Sequence, residues 1–417
     1  MREVVRFCAT DGAFERDPYP TFSTLHRRNQ VLFDPDLGAF FFGRHAEVDS
    51  ILRDEDFTTA ALESSAQPVM GGRVLAQMEG REHHLKRRLV QSVFTGRAFR
   101  DRYGTVIEDI TRRLLRDCIR QRSFDLVGDF GSRYGVLVSL AILDLPADRW
   151  RDISAWHCGI AAFVTSLRMT EEVRTHGLEC SRLMRAYLTE AIQARDQSDV
   201  ASPLSVFFGN QDAEVVMPMS EVVALVLNVL LAATEPADKA LSYLFYHLIS
   251  DGGQLQRVRE NRSLLTGAVR ETLRLTSPVQ LIPRQTRRSM TFFGQDLPAG
   301  SRVFAMVGCA NRDPSVFEDA SRFNIDRFLS GGARAAVMHQ TTSIAFGAGM
   351  HACVGAAFAK MQLELAANII LDDFSDLGLR PDFRLTERGV YTRGPVALDL
   401  EFTPAAASGP SCAHRGS

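Results

Sequence analysis

The sequence lacks the paired cysteines that a disulfide framework or a structural zinc site needs. Its seven cysteines form no Cys-x-x-Cys pair and no metal-ligand spacing; they stand at positions 8, 118, 158, 180, 309, 353 and 412. An odd and scattered set favours a reducing compartment, so we expect a cytoplasmic protein. A cysteine with a chemical role must then act alone.

The chain also lacks an excess of charge and a long apolar run. Lys plus Arg number 48 and Asp plus Glu 50, for a net charge of -2, whereas a general nucleic-acid-binding protein normally carries a basic excess. The longest apolar run, 222–233, is interrupted by Asn228 and is too short to span a bilayer. Residues 1–14 show no signal-peptide pattern. The sequence thus predicts no nucleic-acid partner and no membrane anchor.

What the chain does have is length and helical periodicity. It has 417 residues, 45% of them hydrophobic and 24% charged, as in ordinary soluble globular proteins. Apolar residues recur at helical spacing through 82–192. A further helix is predicted from Ser220 to about Ser250, and its first half is apolar nearly all round, which is typical of a buried central helix.

Shorter patterns complete the predicted fold. Strands are expected at 39–42, within 279–304 and near 380–402, and the polar stretch 197–213 is expected to be a loop. No linker divides the chain. We therefore predict one large, mainly α domain with a minor β part over residues 1–404, followed by a disordered tail over 405–417.

One glycine-rich stretch, 346–355, brings a single cysteine to the start of a helix. A helix N-terminus offers free N–H groups and the positive end of the helix dipole, and both favour thiolate over thiol at Cys353. Such a thiolate is a nucleophile or a ligand for a soft metal or haem iron. A small buried cysteine without chemistry explains the residue equally well. A phosphate-binding loop is disfavoured because no Gly-Lys-Ser/Thr follows.

The complete pattern Phe-Gly-x-Gly-x-His-x-Cys-x-Gly at 346–355 resembles the haem-binding signature of the cytochrome P-450 family. Glu271 and Arg274 resemble the family's Glu-x-x-Arg pair, and the segment 323–328 offers Arg327 as the arginine that joins them in a buried network. The resemblance covers nearly the whole chain and implies a single cytochrome P-450-like domain. It implies haem b as the cofactor, with Cys353 as the axial thiolate and Phe346, Gly347 and Gly355 around it.

The resemblance also implies partners for the two haem propionates. His83 and Arg87 are four residues apart and share one helix face, as in the family's His-x-x-x-Arg helix. His351 in the cysteine loop and Arg284 match the other expected partners. Taken singly, each is explained as well by a solvated basic side chain. His84 is not a candidate because it points about 100° away from His83.

The central helix departs from the family pattern. Where the family carries Ala-Gly-x-Asp/Glu-Thr-Thr, this chain has Ala232-Ala-Thr-Glu-Pro-Ala, with Glu235 retained and Pro236 in place of the threonine whose hydroxyl helps to deliver protons. Proline has no N–H to bond the carbonyl of Ala232. We expect water held by that carbonyl and Glu235, or a substrate hydroxyl, to supply protons; Thr234 faces elsewhere and is a weaker candidate. Alternatively, Pro236 only bends the helix and an ordinary water chain serves.

Thiolate-ligated haem in the family implies monooxygenation of a small molecule with O2. Electrons would come from NAD(P)H through a separate ferredoxin and ferredoxin reductase. The segments expected to line the pocket are mainly apolar, which suits a hydrophobic substrate such as a terpenoid or polyketide intermediate of secondary metabolism; they are 62–78, 160–185, 225–233, 279–281 and 390–392.

Basic side chains near the cysteine loop are candidates for docking an acidic ferredoxin, or else a solvated charged surface; they are Lys86, Arg88 and Lys360.

Three other functions stay open at the level of sequence. The first is an atypical haem-thiolate oxidase that desaturates, rearranges or couples its substrate. The second is an enzyme driven by hydrogen peroxide instead of a redox partner. The third is a non-catalytic haem-binding protein or sensor, supported only by Pro236. The retained Glu235, the Glu-x-x-Arg pair and the full cysteine loop argue against the third.

Overall fold

Helices form most of the protein, and a smaller strand part lies beside them, which confirms the predicted mainly α fold with a minor β part. The computed structural model describes residues 3–94, 97–119, 123–194, 203–208, 217–329 and 342–404. The tail predicted over 405–417 lies outside the described residues.

The helices are, in chain order, α1 (Gly12–Arg16), α2 (Tyr19–Arg28), α3 (His45–Arg53), α4 (Gln67–Met70), α5 (Gly80–Val93), α6 (Arg97–Ile119), α7 (Ser132–Ile142), α8 (Trp150–Thr165), α9 (Glu171–Gln193), α10 (Pro203–Phe208), α11 (Met219–Ser250), α12 (Gly252–Glu260), α13 (Leu265–Leu275), α14 (Val307–Ala310) and α15 (Ala356–Asp373). A π-helical turn, Leu126–Gly131, precedes α7.

The strands are β1 (Val4–Arg6), β2 (Val31–Asp34), β3 (Ala39–Phe42), β4 (Phe57–Thr58), β5 (Ser123–Asp125), β6 (Leu281–Thr286), β7 (Met290–Phe292), β8 (Gln295–Leu297), β9 (Arg302–Met306), β10 (Phe374–Leu379), β11 (Glu387–Arg388), β12 (Gly394–Pro395) and β13 (Asp399–Pro404). The largest sheet has the order β1-β2-β3-β9-β6-β4, and a second sheet has the order β10-β13-β5. In the large sheet β6 runs antiparallel to β9, with Arg284 opposite Val303.

The long helix α11 is the core of the helical part, as its sequence predicts. Every residue from Val222 to Leu227 is buried, and the helix packs against α7, α9, α13 and α15. By length and composition alone α11 could cross a membrane, but half of its most apolar window is buried inside the fold, as in the core helix of a globular protein. Pro236 does not end the helix, which continues to Ser250.

A buried charge network fixes the segment that leads to the cysteine loop. Glu271 and Arg274 are both fully buried, and the guanidinium of Arg274 donates two hydrogen bonds to the Glu271 carboxylate, at 2.8 and 2.7 Å. Arg327 donates to the same carboxylate at 3.0 Å. Arg274 also donates to the carbonyl of Asn311, whose side chain accepts from the backbone N–H of Ile344. The expected pair is therefore buried and is connected to the loop at 346–355.

Two parts of the chain differ from the sequence-based expectation. In the first sixty residues, where the sequence predicts a strand at 39–42 and no helix, the structure also contains α2 and α3. Helix α3 presents a short apolar face, Val48, Ile51 and Leu52, and Glu47 accepts from the N–H of Arg44 at its first turn. The predicted loop at 197–213 is helical at 203–208, and the rest of that stretch lies outside the described residues.

The Glu271→Gln variant should lose about 3–5 kcal/mol of unfolding free energy, because two buried guanidinium groups then lose their counterion. Chemical denaturation would measure the change. Arg257→Gln is the matched control, since it breaks the exposed Arg257–Asp326 pair in the same region and should lose less than about 1 kcal/mol. Equal losses in the two variants would contradict a structural role for the buried network.

Candidate active site

Two glycines give the cysteine loop its shape. Gly347 and Gly349 both have positive φ angles, 70° and 69°, which residues with a side chain adopt only with strain. Gly349 also presses on the end of α3: a Cβ atom there would come within 2.5 Å of the carbonyl oxygen of Leu52. The loop closes through a 2.8 Å hydrogen bond from the N–H of Cys353 to the carbonyl of Phe346.

Cys353 lies deep in the protein, yet its side chain has accessible surface. That surface therefore faces an interior space and not the outside of the molecule. Burial raises the pKa of the Cys353 thiol, while the backbone N–H of Gly355 and the charge of Arg87 oppose the rise. Helix α15 begins at Ala356, with Gly355 as its N-cap. The protein thus supplies two groups that favour a thiolate, and a bound metal cation would supply the rest.

Four cationic or titratable side chains meet beside the loop, as the sequence predicts. The rings of His83 and His351 lie 4.5 Å apart between centroids, and Arg87 donates to the carbonyl of Ala352 at 2.6 Å. Burial, with the charges of Arg284 and His83, lowers the pKa of His351 to about 4. Burial lowers the pKa of Arg284 to about 10. Burial is the largest cause of both shifts. Arg87 and Arg284 place positive charge beside the two histidines, and negative charge would offset it.

The protein itself provides little of that charge. Glu79 interacts with His351, but its carboxylate already accepts from the N–H of Thr59 and from Arg287. The Nε2 atom of His83 is buried and has no hydrogen-bond partner among the described residues. The two carboxylates of a haem would supply the missing negative charge and a hydrogen-bond partner for Nε2 of His83. The residues therefore fit the group whose signature the loop carries, with its iron toward Cys353 and its propionates toward this cluster.

Ala232 has accessible surface in the middle of α11. Its neighbours Leu231 and Ala233 are half-buried, and Leu230 and Thr234 are buried. Thr234 points the other way, since its hydroxyl donates to the carbonyl of Leu230 at 2.7 Å and contacts the hydroxyl of Ser139 on α7. Because Pro236 has no N–H, the carbonyl of Ala232 lacks its usual helical donor. The expected placement of Ala232 and Thr234 agrees with this geometry.

Glu235 lies in a polar cluster that the sequence-based reasoning missed. Lys239, four residues later on α11, forms an ion pair with its Oε1 atom, and the hydroxyl of Thr392 donates to the same atom at 2.7 Å. Burial would raise the pKa of Glu235, but Lys239 and Thr392 outweigh it and the net pKa lies below the usual value. The i,i+4 spacing of Glu235 and Lys239 could have indicated their ion pair. Thr392 lies in a segment predicted to line the pocket, but nothing in the sequence indicated that it bonds Glu235.

Two of the segments expected to line the pocket are brought together. Val279 pairs with Thr392 in an isolated bridge, and the N–H of Gln280 donates to the carbonyl of Tyr391 at 2.9 Å. The turn at 390–392 thereby contacts both the start of β6 and Glu235 in the middle of α11.

One basic residue proposed for partner docking does not reach the surface. Lys86 is buried and forms ion pairs with Glu82 and Glu221, so the expectation that it docks a ferredoxin is wrong. The apolar stem of Lys86 packs inside the fold, and its ammonium group is paired with two carboxylates and is not available to a partner protein. Lys360 is half-buried near the ring of Phe346, whereas Arg88 is exposed.

Comparisons with known proteins agree with this geometry. A family model for cytochrome P-450 matches residues 167–378. Pulcherriminic acid synthase of Bacillus subtilis is 40% identical over 95% of this chain and 98% of its own length. Vitamin D(3) 25-hydroxylase of Pseudonocardia autotrophica is 25% identical over 88% of this chain and 89% of its own. The crystal structure of CalO2 superposes with a TM-score of 0.85 at 24% identity, covering 96% of this chain and all of that one.

Removing one cation of the cluster should weaken haem retention. Arg87→Leu loses a charge-assisted hydrogen bond of about 1.5–3 kcal/mol, which corresponds to roughly 10- to 150-fold weaker binding. Haem content per chain after gel filtration, and haem titration of the apoprotein, would measure it. His84→Ala is the control, because His84 is exposed on the same helix. Haem retention by Arg87→Leu equal to that of the wild type would contradict the assignment.

Proposed function

The chain belongs to the cytochrome P-450 family and is an oxygen-incorporating, haem-dependent oxidoreductase, and we propose that it oxidises a hydrophobic small molecule of secondary metabolism. The observation that carries the proposal is the coincidence of Cys353, facing an interior space, with a cation cluster whose one nearby acid, Glu79, already has other partners. In this proposal the enzyme works in the cytoplasm and takes electrons from NAD(P)H through a ferredoxin and its reductase.

The residues divide the work between holding the cofactor and shaping the pocket. Cys353 holds the iron, and His83, Arg87, Arg284 and His351 hold the propionates. Phe346, Gly347 and Gly355 shape the loop around the sulfur. A haem held by a thiolate activates O2 when it receives electrons.

The remainder of the pocket excludes water and orients the substrate. The buried face of α11 provides an apolar wall from Leu225 to Leu230, and Ala232 leaves room in the middle of the helix. The start of β6 and the turn at 390–392 close the space from the side. Such an apolar cavity with few fixed charges suits an uncharged substrate, such as a terpenoid or polyketide intermediate.

A narrower candidate is the reaction for which the B. subtilis relative is named. The 40% identity extends over nearly the whole of both chains, so the pocket segments are part of the match. In this case the product is pulcherriminic acid or a close analogue.

The reduced, carbon-monoxide-bound protein should absorb at about 450 nm, and Cys353→Ala should lose that band because the thiolate is gone. Cys8→Ala is the control, since the sulfur of Cys8 lies outside the cysteine loop and contacts the hydroxyl of Thr10. A wild type without the band would contradict haem-thiolate ligation.

The same preparation tests the substrate class and the electron source. The substrate of pulcherriminic acid synthase should shift the Soret band more than a panel of terpenoids and polyketides if the narrower candidate is right. NADPH with ferredoxin and reductase should give product; product from hydrogen peroxide alone would favour the peroxide-driven alternative. Desaturated, rearranged or coupled products would identify an atypical oxidase.

For proton supply we propose that water held between the carbonyl of Ala232 and Glu235 takes the place of the missing threonine hydroxyl, with a substrate hydroxyl as the alternative donor. Two features support the proposal. The carbonyl of Ala232 lacks its usual N–H donor because residue 236 is proline, and the hydrogen bonds of Glu235 within the described residues are made by Oε1, which leaves Oε2 for water.

Pro236→Ala should lower the yield of product per NADPH by roughly tenfold, because the new N–H bonds the Ala232 carbonyl and displaces the water. Pro236→Thr should keep more of the yield, since its hydroxyl offers a second route. Product and peroxide are measured together against NADPH consumed. Unchanged yields in both variants, with hydroxyl-free substrate analogues reacting equally well, would contradict both donors and favour an ordinary water chain.

A further inference from the structure

A buried histidine lies beside the point where Pro236 interrupts the hydrogen bonds of α11. His157, on α8, is 5% exposed, and its ring bonds the backbone carbonyl of Leu231, the residue before Ala232. Its Nε2 atom is buried and has no hydrogen-bond partner among the described residues. We assign the bond to Leu231 to Nδ1, so that Nδ1 carries the proton and Nε2 presents a lone pair.

The charged neighbours of His157 are the members of the cluster around Glu235. Glu235 and Lys239, both from α11, are the charges that act on the ring. Burial lowers the pKa of His157, and Glu235 only partly offsets this, so the ring is neutral near pH 7. A neutral imidazole with a free lone pair in a polar, buried position is a place where an ordered water binds.

A route from the solvent reaches this cluster. The two partners of Glu235, Lys239 and Thr392, also line a surface groove of about 560 Å³, together with the turn at 165–168 between α8 and α9. Glu235 thus lies directly beneath a solvent-accessible groove. Ala232 lies three residues before Glu235 on α11, and His157 of α8 meets the same stretch of α11 at Leu231.

We propose that His157 is a proton-relay residue of this active site and that it acts with Glu235 in place of the threonine hydroxyl that Pro236 removes. A proton that arrives from the groove through water at Glu235 binds Nε2 of His157 and leaves from the same nitrogen to the water beside the Ala232 carbonyl. The ring returns to its starting state, so no charge accumulates. The inference rests on the proposed function and adds the residue that the water chain requires.

The first test needs no turnover. In protein labelled with ¹³C at the histidine Cε1 position and kept in the reduced, carbon-monoxide-bound state, NMR titration reports the pKa of His157. Because the negative charge of Glu235 favours the imidazolium, Glu235→Gln should lower that pKa further. A His157 pKa that does not respond to Glu235→Gln would show that the two groups are not coupled and would overturn the relay.

The second test uses electron coupling. His157→Gln should lower the product formed per NADPH by roughly tenfold or more and raise the solvent deuterium isotope effect, while the 450 nm band and the substrate-induced Soret shift stay as in the wild type. His247→Gln is the matched control. His247 is also buried and neutral, but it stacks on Phe323 and bonds Thr276, so its variant should couple electrons normally.

The outcomes distinguish a failure of the His157 relay from a failure of the proposed function. Normal coupling and an unchanged isotope effect in His157→Gln would overturn the relay and leave the proposed function intact. A wild type that oxidises no substrate with either electron source would overturn the proposed function and the relay together. Equal loss in His157→Gln and His247→Gln would assign the effect to packing and would also overturn the relay.

Discussion

The structure depends on one carboxylate that is fully removed from water. Glu271 is held by two guanidinium groups, and neither it nor Arg274 has accessible surface. A buried charge of this kind is tolerated only when its partners are present and well oriented. Arg274 donates to the carbonyl of Asn311, and the side chain of Asn311 accepts from the N–H of Ile344. The network thereby fixes the segment just before the cysteine loop. The loop needs this external support because its glycines provide shape but no stiffness.

The other side of the loop differs. Arg87 and Arg284 place positive charge beside His83 and His351, and Glu79 is the one acid that acts on His351 there. The Glu271 network pairs its buried carboxylate with protein groups, whereas the cation cluster is left for the two carboxylates of the cofactor. Cofactor binding and local stability are therefore coupled at the cation cluster.

The sequence predicts the parts of the protein whose signals are local. The length of α11 and the strand at 39–42 follow from spacing within a few residues. The burial of the Glu-x-x-Arg pair and the role of the cysteine loop were expected because both short motifs resemble those of the family. Contacts between distant segments could not be predicted in this way. Thr392 is 157 residues from Glu235, and Glu221 is 135 residues from Lys86. For this reason Lys86 was wrongly expected at the surface and the environment of Glu235 was missed. Helix α3 was missed because its apolar face is only two turns long.

The contact between Gly349 and the end of α3 joins residues from opposite ends of the chain. Arg87 reaches the carbonyl of Ala352 across 265 residues in the same way. During synthesis, the cysteine loop leaves the ribosome after the segments that it contacts, such as the end of α3 and Arg87 on α5. Contacts this far apart form late in folding because the intervening chain must first be ordered. A chain truncated before the loop therefore lacks both Cys353 and His351 and cannot complete the haem site.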